Sequence, residues 1–108
     1  MEKVYYEQKN VKLSCYNGNS LSNLPHFHSE LEMIVCFSGK VNCFLSGQNF
    51  DFGAGDIVLA FPNQVHKYRM IENGDYMFYD CRVIDPRLTQ IGDEYYICRP
   101  AQRFCLLR

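Results

Sequence analysis

Between positions 26 and 37 the chain alternates. His26, His28, Glu30 and Glu32 occupy one parity; Leu31, Met33, Val35 and Phe37 occupy the other. A period of two is the mark of a β-strand, whose successive side chains point to opposite faces. Ile34 and Cys36 then carry the histidine parity into apolar residues, so both faces become apolar toward the strand's end. A strand buried on both sides fits a wall that is covered outside as well as inside. Similar short runs, rich in aromatic and β-branched residues, recur at 11–16, 41–45, 49–52, 56–61, 65–71 and 76–83. Turn residues separate them, among them Asn17-Gly18-Asn19, Ser38-Gly39, Ser46-Gly47, Gly53-Ala54-Gly55-Asp56, Pro62-Asn63 and Asn73-Gly74-Asp75. Glycine and asparagine there tolerate the positive φ of tight turns. This rhythm predicts consecutive antiparallel strands in an all-β sandwich or barrel. One short helix is expected over 85–92, with Asp85 as N-cap, Pro86 as first helical residue and Gly92 as stop. A further strand is expected over 94–98. The apolar stretch 100–107 is too short for an independent helix. Its end reads as the start of a packed element that continues or meets a partner.

Composition narrows the function. A chain of 108 residues, 47% apolar and 21% charged, suits one soluble domain. We place the barrel at roughly 10–84, with a tail over 85–108 leading toward helices outside the chain. Eleven basic residues against twelve acidic ones give a net charge of −1. That argues against direct binding to nucleic acid or to an anionic membrane. No apolar run reaches the length of a membrane span, and the polar N-terminus has no signal-peptide core, so a cytoplasmic location is expected. The six cysteines show no C-x-x-C spacing. Cys36, Cys43, Cys81 and Cys98 lie in apolar contexts and read as small buried hydrophobes with free thiols.

The candidate chemistry lies in the three histidines. On a strand, His26, His28, Glu30 and Glu32 share one face. Two imidazoles and a carboxylate on that face make a half-shell for a divalent transition metal such as Zn, Ni, Fe or Mn. His66, which opens a strand after the Pro62-Asn63 turn, can complete it. The competing reading is a solvated outer face, and on alternation alone it is the simpler one. Ile34 and Cys36 on the same parity argue against it. Gly55 permits a tight turn, Ile57 to Phe61 form an apolar strand, and Pro62 ends it because it lacks an N–H. No Gly-x-Ser-x-Gly elbow is present, Gly53-x-Gly55 lacks a third glycine, and no cysteine sits in a recognisable nucleophile setting. No catalytic residue is therefore assigned.

Two stretches carry a family resemblance. His26-x-His28-x3-Glu32-x6-Gly39 resembles the first cupin motif, and Gly55-Asp56 through Pro62 to His66 resembles the second. More narrowly, PHFHSELEMIVCFSG followed by FGAGDIVLAFPNQVHKY is similar to the N-terminal sensor domain of AraC-type transcriptional regulators. The two motifs cover residues 26–68. The resemblance implies a cupin-type double-stranded β-helix, a jelly roll with at most one or two short helices. It implies that His26, His28, Glu32 and His66 line one pocket inside the barrel, and its motif spacing selects Glu32 over Glu30. In that pocket they would hold a metal or hydrogen-bond a small polar effector such as a sugar. Tyr68 joins them as a ligand-binding candidate. With Tyr76 and Phe78, it suits a plain core equally well. If the histidine face is the interior, Leu31, Met33, Val35 and Phe37 face outward and predict a homodimer. In such regulators DNA is bound by a C-terminal pair of helix-turn-helix motifs, absent from this chain. The chain departs from the cupin pattern at Ser20, at Asn63-Gln64 after Pro62, and at Met70. These departures count against a stand-alone metal-dependent cupin enzyme, an isomerase or dioxygenase, which is the alternative reading. A purely structural or storage cupin is the third.

Overall fold

The alternating run 26–37 does not form one strand. In the computed structural model, which describes residues 3–18, 24–84, 96–99 and 104–107, it breaks into β3 (His26–Phe27) and β4 (Leu31–Cys36). The bend between them passes the chain from one sheet to another. Side-chain parity survives the bend, which is why alternation alone does not reveal it. The other elements are β1 (Tyr5–Tyr6), β2 (Leu13–Gly18), β5 (Lys40–Leu45), β6 (Gln48–Gly53), β7 (Ile57–Ala60), β8 (His66–Glu72), β9 (Tyr76–Cys81), β10 (Tyr96–Arg99) and β11 (Phe104–Leu107). The described residues are all strand and turn, with no helix among them. The helix expected over 85–92 lies outside the described residues. The strand expected at 94–98 is β10. The end of the 100–107 stretch is a strand, β11, paired with β10.

The strands form two sheets. One has the order β1-β3-β8-β5-β6, the other β11-β10-β7-β4-β9-β2. The larger sheet thus takes in two strands from beyond residue 84. Apart from the parallel β1–β3 pair, the ladders are antiparallel. The inner faces meet in a core of Ile34, Cys36, Val58, Ala60, Tyr76 and Phe78 from the larger sheet against Val41, Cys43, Leu45, Phe52 and Tyr68 from the smaller. Tyr68, Tyr76 and Phe78 are therefore core residues. Burial raises the pKa of the Cys36 and Cys43 thiols. With Cys81, these are free cysteines, as expected.

The outer face of the larger sheet is also apolar. Leu31, Met33 and Val35 of β4 lie beside Ile57 and Leu59 of β7 and Met77 and Tyr79 of β9, all half-buried. Phe37, just past β4, is 59% exposed. No helix among the described residues is long and apolar enough to cross a membrane.

Gly39, the last residue of the first motif, explains its own identity. Its φ is +92°, and a Cβ there would meet the Glu72 and Asn73 carbonyl oxygens at 2.8 and 2.9 Å. Backbone cannot yield as a flexible side chain can. Gly47 has a similar φ of +83° but nothing within 4 Å. Gly39→Ala is therefore expected to destabilise the protein by on the order of 2–4 kcal/mol, adding a steric clash to left-handed strain. Gly47→Ala should cost about 1 kcal/mol, from strain alone. Urea unfolding midpoints of the two variants check the difference.

Candidate metal and effector site

The bend between β3 and β4 builds the site. His26 lies on β3 in the smaller sheet, in register with His66 on β8. His28 sits in the bend. Glu32 lies on β4 in the larger sheet and projects between the two layers. His26, His28, Glu32 and His66 are at most 5% exposed. The histidine face is therefore the interior, and the solvated-face reading is overturned. Imidazole centroids are 4.2 Å apart for His26 and His66, 4.8 Å for His28 and His66, and 5.9 Å for His26 and His28.

Backbone carbonyls fix the rings. The Nδ1 of His26 donates to Leu24 O at 2.7 Å, that of His28 to Glu30 O at 3.1 Å, and that of His66 to Gln64 O at 2.9 Å. A carbonyl only accepts, so each Nδ1 carries a proton. In the neutral imidazole this leaves Nε2 as a bare acceptor. These nitrogens lie close enough together to share one ion. The Nε2 atoms of His28 and His66 are buried with no hydrogen-bond partner among the described residues. Orphaned, convergent imidazole nitrogens with their far sides held by carbonyls are what a metal-ligating histidine set presents. The residues thus fit a divalent cation.

The second-motif turn supports this geometry. Asn63 takes a φ of 65° and its N–H donates to the His28 carbonyl at 2.8 Å, tying one motif to the other. The Gln64 side chain accepts from the Phe61 N–H at 2.9 Å.

Glu32 occupies the centre. One carboxylate oxygen lies 3.6 Å from His28 Nε2; the other lies 3.4 Å from His66 Nε2 and accepts the Tyr68 hydroxyl at 2.7 Å. Burial opposes its charge, but His28 and His66 outweigh burial and hold its pKa well below the usual range. Burial lowers the pKa of His28, yet the Glu32 carboxylate, 3.6 Å from Nε2, brings the net shift upward. His26 shifts downward through burial, then through the charge of His66. Burial and then Glu32 push the Tyr68 hydroxyl well up, so it stays a donor. Glu30 is buried too, but its carboxylate engages the Ser29 hydroxyl and the Val11 N–H, each at 3.4 Å.

One site residue escaped the sequence reading. Asp80 on β9 stands directly across from Glu32 and is fully buried. Lys9 reaches its Oδ2 at 3.4 Å. Burial first, and then the charge of Glu32, raise its pKa to about 6. Its signal was present: an acid on the inward parity of Tyr76 and Phe78 in an otherwise apolar strand.

This architecture is that of a cupin. An RmlC-like cupin from Shewanella frigidimarina aligns with a TM-score of 0.60 and 14% identity, over 70% of this chain and 71% of its own. A mutant of the Bacillus subtilis oxalate decarboxylase OxdC aligns at 0.56 and 18% identity, over 68% of this chain and 22% of its own. A further structure of that enzyme, described for its Mn(II) centres, aligns at 0.56 and 17% identity, over 72% of this chain and 23% of its own. This chain thus spans under a quarter of the oxalate decarboxylase chains it resembles. No curated protein sequence matches. Within the cupins, residues 14–104 match the AraC-like ligand binding domain, and the chain belongs to that family.

The Asp80 carboxyl makes a testable contribution to stability. Its folded pKa of about 6 lies above the ordinary 3.8. The folded state therefore binds the proton more tightly, and ionisation costs stability as pH rises between these values. That cost is absent below the lower value and complete above the upper one. In metal-free protein, Asp80→Asn is expected to gain on the order of 2 kcal/mol at pH 7.5. The gain should vanish near pH 4 in paired thermal melts.

Proposed function

We propose that this chain is the sensor domain of an AraC-type regulator and binds a small polar effector inside the barrel. One observation carries the reading: the Nε2 nitrogens of His28 and His66 lie buried and orphaned beside the Glu32 carboxylate. With His26 and Tyr68 they form the ligand-binding set. The Glu32 carboxylate in this set only accepts. A complementary ligand offers donors, as the hydroxyls of a sugar do. The Tyr68 hydroxyl, held to Glu32, fixes the carboxylate's orientation. The effector state would pass to a DNA-binding segment of the same regulator. The apolar outer face around Met33 would be covered in a homodimer or by that segment. An encoding reading frame that continues into helix-turn-helix patterns would support this reading.

A second reading is a metal-dependent enzyme. The fit of His26, His28, Glu32 and His66 to a divalent ion favours it. A bound Zn, Ni, Fe or Mn ion would supply Lewis acidity to an oxygen ligand. The chain's own residues would orient that ligand, with the sheets excluding water.

A thermal-shift screen with sugars, organic acids and divalent metals tests both. A ligand at about a hundredfold excess over Kd stabilises the native state by roughly 2.7 kcal/mol, a rise of several degrees in Tm. The wild type is expected to show that rise with at least one polar compound or metal, and His28→Ala to lose it. Equal responses in both proteins would refute the site. Turnover of a bound compound by the metal-loaded protein would favour the enzyme.

A further inference from the structure

The larger sheet ends in a hairpin that the functional reading leaves unused. β10 pairs with β7 on one side and with β11 on the other, and β11 is the outermost strand. Arg99 stands opposite Phe104, so residues 100–103 form the connecting loop. That short loop, opened by Pro100 with its fixed φ, leaves the two strands little freedom to slip in register. The register puts Cys98 directly across from Cys105.

Among the described strands, this is the one ladder position where two cysteines oppose each other. Cys36 stands across from Tyr76, Cys43 from Phe50 and Tyr68, and Cys81 from Leu13 and Leu31. Cys15 stands across from Tyr79, one diagonal step from Cys81. Directly opposed residues of an antiparallel pair have Cα atoms about 4.5–5.5 Å apart, inside the range that a disulfide spans; diagonal neighbours, at about 7–8 Å, lie beyond it. Cys98 is also in register with Ile57 of β7, which belongs to the outer face of the sheet. Residues in register share a face. The pair therefore lies on the outer face, away from the core that holds Cys36 and Cys43.

We propose that Cys98 and Cys105 are a redox modification site, closing into a reversible cross-strand disulfide with small disulfides such as oxidised glutathione. The chemistry is two successive thiol–disulfide exchanges. One cysteine thiolate attacks a sulfur of the oxidant, forms a mixed disulfide and expels one small thiol. The second thiolate attacks the protein sulfur of that mixed disulfide and expels the other. The two cysteines lose two protons and two electrons in all, and the oxidant takes them up as two thiols. Excess small thiol runs the sequence backward, so under reducing conditions the pair rests as two free thiols. Closure fastens the outermost strand of the sheet covalently to its neighbour, whatever occupies the space between the sheets.

The test incubates the chain in mixtures of reduced and oxidised glutathione, blocks the remaining thiols with iodoacetamide and maps tryptic peptides by mass spectrometry. Cleavage after Arg103 separates the two cysteines into peptides 88–103 and 104–108. The oxidised wild type is expected to yield these two peptides joined, and dithiothreitol to part them. Cys105→Ser should lose the joined species, whereas Cys15→Ser should keep it. Circular dichroism checks the folding of each variant, and Cys98→Ser takes the place of Cys105→Ser if that does not fold. In urea the unfolded chain should favour the bond at least about tenfold less, because strand register no longer holds the two thiols together. Equal bond formation in folded and unfolded chains overturns the proposal. So do mixed disulfides without the joined peptides, links from either cysteine to a different one, and links between two chains.

Discussion

A charged carboxylate buried between two sheets has to be held by donors, and Glu32 is that group. Left alone, a buried ion costs several kcal/mol. Here His28, His66 and Tyr68 surround it, and their approach keeps it ionised. Each partner reaches it by a separate device. His28 comes from the bend between β3 and β4, whereas His66 and Tyr68 come from alternate positions of β8 in the opposite sheet. Without the bend, one strand could not place His26 in the smaller sheet and Glu32 in the larger. The connection between sheets and the chemistry between them are consequences of the same few residues.

Glu32 also organises the charges around it. Its negative charge raises His28 and Tyr68, and it keeps the neighbouring Asp80 carboxyl from ionising at its usual pH. A barrel interior with two facing acids and three imidazoles is polarised in a way that an ordinary core of this size is not. The hydrophobic remainder, from Ile34 to Phe52, closes the space around it.

Much of this was readable from the chain. Alternation placed the histidines and Glu32 on one side, and turn residues marked most strand ends. The choice between interior and exterior was not decided by alternation, because Leu31, Met33 and Val35 make the opposite face equally apolar. The break at His28–Glu30 was hidden because the bend preserves parity. β1 was missed because two tyrosines in a polar stretch carry no periodic signal. Asp80 was passed over as part of a strand end, yet its partner lies 48 positions away in sequence, across β4. The inward parity of Asp80 was legible beside Tyr76 and Phe78, but its pairing with Glu32 was not, because that pairing is set by strand register.

The carbonyls that hold the rings belong to Leu24, Glu30 and Gln64, and they are main-chain atoms. The path of the backbone therefore sets where the imidazoles point, and a side chain such as Gln64, which accepts from the Phe61 N–H, acts by holding that path. The rings are thus aimed by the same backbone that pairs the strands.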